Sequence, residues 1–183
     1  IPIEYDSVCQ RFDFGESTFF ILKKGDKYGV VNNNNESVIS FKYDYLSFNN
    51  LRDYYINERT GVPTVATDIF VVAKKNKKFG VIDFKEKVWI PFKYANIERI
   101  SNQPVFKVAK RNTYQFVNYK NEVLNAGPFD EIAKFEEFET LTFYKGQMRV
   151  MDINGKFTTA PVSMNPHKGF ESFEALKQAL ILA

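Results

Sequence analysis

The sequence predicts an all-β chain, an array of about four stacked β-hairpin or meander repeats of roughly 35 residues, closed by a C-terminal α-helix cap. Three observations carry this. Residues 77–97, "KKFGVIDFKEKVWIPFKYANI", echo residues 26–46, "DKYGVVNNNNESVISFKYDYL". Short β-branched and aromatic runs alternate with Gly, Asn and Lys turns. Near the C-terminus the apolar spacing changes from a strand period to a helical one.

The repeat is fixed by two independent anchors. The residue ahead of the Gly-Val step is Tyr28, Phe79, Tyr114 and then Met148, at intervals of 51, 35 and 34 residues. The second half of the phrase recurs at Tyr5-Asp6, Tyr43-Asp44, Tyr94-Ala95 and Phe129-Asp130, at intervals of 38, 51 and 35. Both anchors give 51 and then 35, so the repeat is not an accident of composition. "IPIEYDSV" matches the second half of a unit, so the chain is expected to begin inside one.

Each element follows from local chemistry. "IFVVA" is a β-branched run, "KKNKK" a polar turn and "FGVIDF" a second strand. "KEK" turns the chain again, and "VWIP" is a third strand running into "FKYANI". "KGDK" at 24–27 and "NGK" at 154–156 supply the Gly or Asn that a tight hairpin needs at positive φ. Such a unit cannot bury its apolar face alone, and stacking completes the core. The long interval is an insertion of about 16 residues, expected as a projecting loop over 49–67 with Gly61 and Pro63 in it. The array is expected over 1–162 and a linker with an amphipathic helix over 163–183, where Ser172 would cap Phe173, Leu176 and Leu180 at helical spacing.

The aromatic-Gly-Val-Ile/Val-Asp/Asn step, the Val-x-Ile-Pro strand and the Lys-Tyr-x-x-Ile ending resemble the WG repeat, a bacterial β-repeat named for a Trp-Gly pair. The likeness covers most of 1–160, with residues 79–97 nearest to it. Tyr28 and Phe79 stand where the family has Trp, and Gln115 and Arg149 where it has Gly. The resemblance implies a scaffold and carries no common activity. The Gly is expected to let a ring or a neighbouring backbone pack closely.

The composition, 16% aromatic and 44% hydrophobic, suits a packed fold. A net charge of +3 is too small to point to nucleic acid. No apolar run is long enough for a spanning helix, and the compartment is left open. The single cysteine, Cys9, and single histidine, His167, exclude a multi-cysteine metal site, and zinc is not expected. Cys9 is expected as a small buried residue and His167 as part of the linker. "DINGK" at 152–156 begins like a calcium loop but lacks the remaining ligands, and it falls where each unit has its second hairpin. Neither a phosphate loop nor a nucleophile elbow is present. No cofactor is called for and no catalytic set is expected.

One constellation exceeds background. Lys24, Lys75 and Lys110 each lie four residues before the anchor, and Lys145 three before Met148, which predicts a basic rim joined by Lys23, Lys74, Lys78 and Arg111. The inserted loop adds Tyr54, Tyr55 and Arg59 as binding candidates. The functional expectation is a non-catalytic scaffold that binds a protein through a concave face, basic rim or loop. The alternative is a module for a glycan or cell-wall polymer, with exposed aromatics stacking on sugar and an anionic polymer as a possible ligand.

Overall fold

The computed structural model describes residues 4–14, 16–48, 54–56, 63–65, 70–100, 105–110, 113–133, 139–152 and 154–163. Among them every regular element is a strand. The chain divides into two units, residues 1–97 and 98–183.

The first unit contains two four-stranded antiparallel sheets. One is formed by β1 (Ser7–Phe14), β2 (Ser17–Lys24), β3 (Lys27–Asn32) and β4 (Ser37–Tyr43) in sequence order. The other has β5 (Tyr45–Ser47) beside β8 (Val71–Lys75), then β9 (Lys78–Ile82) and β10 (Val88–Tyr94). Between them in sequence, β6 (Tyr54–Ile56) and β7 (Pro63–Val65) pair as a two-stranded hairpin. The insertion is therefore not a plain loop: its β-branched and aromatic ends "YYI" and "PTV" pair across the intervening residues.

A third sheet is β11 (Asn96–Ile100), which begins at the end of the first unit, with β12 (Val105–Lys110), β13 (Thr113–Asn118) and β14 (Val123–Phe129) of the second. The fourth is β15 (Glu131–Ile132), β16 (Glu139–Tyr144), β17 (Gln147–Asp152) and β18 (Val162–Ser163). Each repeat thus has four strands where the sequence suggested three. The residues after the aromatic-Asp step open the next sheet, and β18 carries the array one residue past 162. The helix expected over 163–183 otherwise lies outside the described residues.

The third strand of each sheet explains the repeated phrase. Val30 and Val31, Val81 and Ile82, Phe116 and Val117, and Val150 and Met151 are adjacent and all buried. Neighbouring residues of a strand face opposite ways, so this strand is covered on both sides and needs an apolar run rather than alternation. Fully burying one such Ile or Val contributes about 2 kcal/mol. In the first unit Ile21, Val30, Ile39, Tyr43, Leu46 and Ile82 share one core drawn from both sheets. In the second, Phe116, Phe129, Ile132 and Met151 do the same.

The Gly of the anchor pair serves its neighbour strand. A Cβ on Gly29 would fall 2.7 Å from the Phe41 ring and 2.9 Å from the Ile39 carbonyl oxygen. One on Gly80 would fall 2.7 Å from the Ile90 carbonyl oxygen and 3.1 Å from the Phe92 ring. In the third copy the sizes are exchanged. Gln115 replaces the Gly, and Gly127, with φ 69°, stands where Phe41 and Phe92 stand. The two departures of the third copy thus fall on the same pair of facing positions.

Candidate functional site

The candidate rim is built from the first hairpin of each repeat. Lys24 pairs with Lys27, Lys75 with Lys78 and Lys110 with Thr113, so the three lysines occupy one position. Lys145 does not. In the fourth hairpin Tyr144 pairs with Gln147, which puts Tyr144 at the strand end and Lys145 inside the turn with φ 49°. The shortened spacing before Met148 is a shift of one residue along the hairpin.

These lysines differ electrostatically. The Lys24 ammonium is 3.0 Å from Glu4, whose hydrogen bond and charge raise the Lys24 pKa and lower that of Glu4. Lys145 has its ammonium 5.2 Å from the Tyr144 ring. Lys75 and Lys110 have no acidic partner among the described residues. Lys74, beside Lys75, rests over Phe79 at 5.1 Å.

The aspartates of the aromatic-Asp step brace these turns, a role the spacing alone did not reveal. Asp6 accepts a hydrogen bond from the Gly25 N–H at 2.6 Å, Asp44 from the Lys77 N–H at 3.3 Å and Asp130 from the Lys145 N–H at 2.7 Å. Each belongs to the hairpin after its own step. Asn76, Lys77 and Lys145 all have positive φ, a conformation disfavoured for side chains that the carboxylate helps to hold. Asp44 also takes the Lys27 ammonium at 2.6 Å, and this bond and the Lys77 N–H keep its carboxyl below the usual range. At the corresponding position in the third step stands Ala95, which offers no acceptor.

The second hairpin uses the same chemistry in all four copies. The side-chain oxygen of Asn32, Asp83, Asn118 or Asp152 accepts the N–H groups two and four residues on. The residue three on, Asn35, Glu86, Asn121 or Gly155, has positive φ. "DINGK" is therefore a hairpin whose Asp152 is spent on backbone donors, and no group of three metal-ligating side chains occurs among the described residues.

Glu86 departs from the set. It holds φ 58° where its counterparts are Asn and Gly, and its carboxylate reaches back to β4. There it accepts the Ser40 N–H at 2.8 Å and the Tyr43 hydroxyl at 3.0 Å and pairs with Lys42. Burial alone would raise its pKa, but Lys42, the Ser40 N–H and the Tyr43 hydroxyl outweigh it and bring the value down to about 2. Tyr43 moves the opposite way, raised first by burial and then by this carboxylate.

An aromatic row also reaches the surface of the first unit. Tyr45, 42% exposed, lies 6.2 Å from both Tyr28 and Phe79. For Tyr54 and Tyr55 the structure describes only the backbone pairing in β6, and Arg59, Arg111 and His167 lie outside the described residues. The expectation of a buried Cys9 is corrected: the thiol is exposed. The β1–β2 register slips between Val8 and Gln10, and a bulge there makes Cys9 the extra residue with no pairing partner. No helix among the described residues is long and apolar enough to cross a membrane.

The family described as "WG containing repeat" matches residues 28–56 and 79–114. Among curated proteins no match to the chain was found. Both matched stretches begin at the anchors Tyr28 and Phe79 and run through the close-packed Gly, the side-chain-braced turn and the strand behind it. Residues 28–56 and 79–114 are thus similar to WG-containing repeats.

Proposed function

We propose that the chain is a non-catalytic β-repeat scaffold that binds an acidic protein partner through the ends of its first hairpins, at Lys24, Lys75, Lys110 and Lys145. One observation carries this reading. The acidic and amide side chains that recur from copy to copy are consumed in holding turns, whereas Lys75 and Lys110 remain at turn ends with no acidic partner among the described residues. Exposed lysines also discourage edge-to-edge pairing, and an acidic partner would use the same charges. The test compares the native chain with K24E/K75E/K110E/K145E, using a poly-glutamate peptide as a defined probe alongside partner capture. Salt-sensitive binding that disappears in the variant supports the rim, and unchanged binding removes it.

The glycan alternative now rests on the Tyr28, Tyr45 and Phe79 row, since rings at this spacing offer sugars a stacking surface. A glycan array probed with the native chain and with Tyr45→Ala separates the two readings.

A further inference from the structure

Between the third and fourth repeats the second unit holds a cavity of about 230 Å³, lined by Gly127, Phe129, Tyr144, Gln147, Arg149 and Phe157 among others. Three of these are departures from the repeat. Gly127 replaces the ring that Phe41 and Phe92 supply, so bare backbone faces the space. Arg149 stands where Gly29 and Gly80 stand, and Tyr144 where the other hairpins end in Lys. The substitutions converge on one place, giving it a cation, the Phe129 and Phe157 rings, neutral polar groups from Asn125, Thr142 and Gln147, and no acidic lining residue among the described residues.

Arg149 is fixed by a ring and a backbone carbonyl. Its guanidinium lies 3.6 Å from the Phe157 ring centroid, and its Nε donates to the Thr159 carbonyl oxygen at 3.4 Å. Its Nη nitrogens make no hydrogen bond or ion pair among the described residues. Phe157 is in turn fixed edge-on against Phe129 at 6.1 Å. An arginine stacked on a ring and tied at Nε keeps the planar fork that binds carboxylates in two-point fashion.

We infer that this cavity is a binding site for a small monocarboxylate carrying one ring or a short apolar group. Size supports the choice. Drug-sized ligands occupy roughly 300–1,000 Å³, while a dry cavity of about 150 Å³ accepts benzene. A ring with one carboxylate falls between them. The same chemistry is offered by a free aromatic acid and by the C-terminal residue of another protein. The site is independent of the lysine rim and can stand or fall without it.

The test is a two-dimensional NMR titration of the full chain with benzoate, with neutral benzamide as control. Shifts confined to the lining residues, on the Tyr144–Arg149 hairpin, Asn125 to Phe129 and Phe157 to Pro161, with benzoate bound about tenfold or more tightly than benzamide, are expected from a charge-assisted contact. Arg149→Gln should abolish that preference while leaving benzamide unchanged. If that variant does not melt cooperatively, a salt titration of the native chain replaces it: benzoate affinity should fall on raising NaCl to about 0.5 M while benzamide is unaffected. A Gly-Gly-Phe peptide with a free or amidated C-terminus forms the second arm. Tighter binding of the free peptide than of benzoate assigns the site to a protein terminus, and the reverse assigns it to a free acid. Equal binding of benzoate and benzamide, shifts elsewhere on the chain, or no binding of either carboxylate would overturn the site.

Discussion

Replacing Glu86 by Gln isolates one charge that ties the second repeat to the first. The carboxyl falls from its ordinary 4.5 to about 2 in the folded chain. At about 1.4 kcal/mol per pH unit this is at most about 3.5 kcal/mol. The Lys42 end of the pair is 47% exposed, so solvent screening brings the expected loss nearer about 2 kcal/mol. A depressed carboxylate pKa stabilises the fold above the unfolded value, and the benefit is lost as pH falls toward the folded value. The native chain should therefore exceed E86Q by about 2 kcal/mol at neutral pH, with the gap closing between 4.5 and about 2. Trp89, the single tryptophan, lies three residues beyond Glu86, so its fluorescence in urea reports this unit. Glu86→Asn should fall between the two, because Asn recovers part of the roughly 1 kcal/mol that a positive φ costs Glu. A native-minus-E86Q gap that does not change with pH would refute the electrostatic account.

Three further outcomes follow from the turns and the packing. Gly80→Gln should destabilise the first unit by about 2 kcal/mol or more, because its Cβ would meet both the Ile90 carbonyl oxygen at 2.7 Å and the Phe92 ring at 3.1 Å. Adding Phe92→Gly should recover part of that loss by reproducing the Gln115 and Gly127 arrangement, and urea midpoints of the single and double variants decide. Asp44→Ala should cost about 1 kcal/mol, read by Trp89 fluorescence, through loss of the Lys77 and Lys27 hydrogen bonds. Asp152→Ala should lower the thermal midpoint of the second unit, and calcium should leave the native midpoint unchanged; a calcium-dependent rise would contradict the hairpin assignment.

Much of this was legible in the residues because it depends on near neighbours. Apolar runs, Gly and Asn turns and the 51 and 35 spacing are local, and they predicted strands, hairpins and the repeat. The runs "GVV" and "GVI" were read as strands, and their burial on both faces emerged only from the packing. Three-dimensional pairing corrected the readings that depend on register. Cys9 is exposed at a bulge in β1, a one-residue shift moves Lys145 into its turn, and Tyr54–Ile56 and Pro63–Val65 of the inserted segment pair as β6 and β7.

By itself the sequence determined the fold class, the period and the turn residues, since each follows from steric and hydrogen-bonding preferences within a few residues. Tertiary structure alone decided which partners those residues meet. Asp6, Asp44 and Asp130 brace turns 15 to 33 residues away, and Glu86 grips Ser40 and Tyr43 across 46 and 43 residues. Gly127 and Arg149, unremarkable departures along the chain, become walls of one cavity because sheet packing, not sequence distance, sets which side chains share a space.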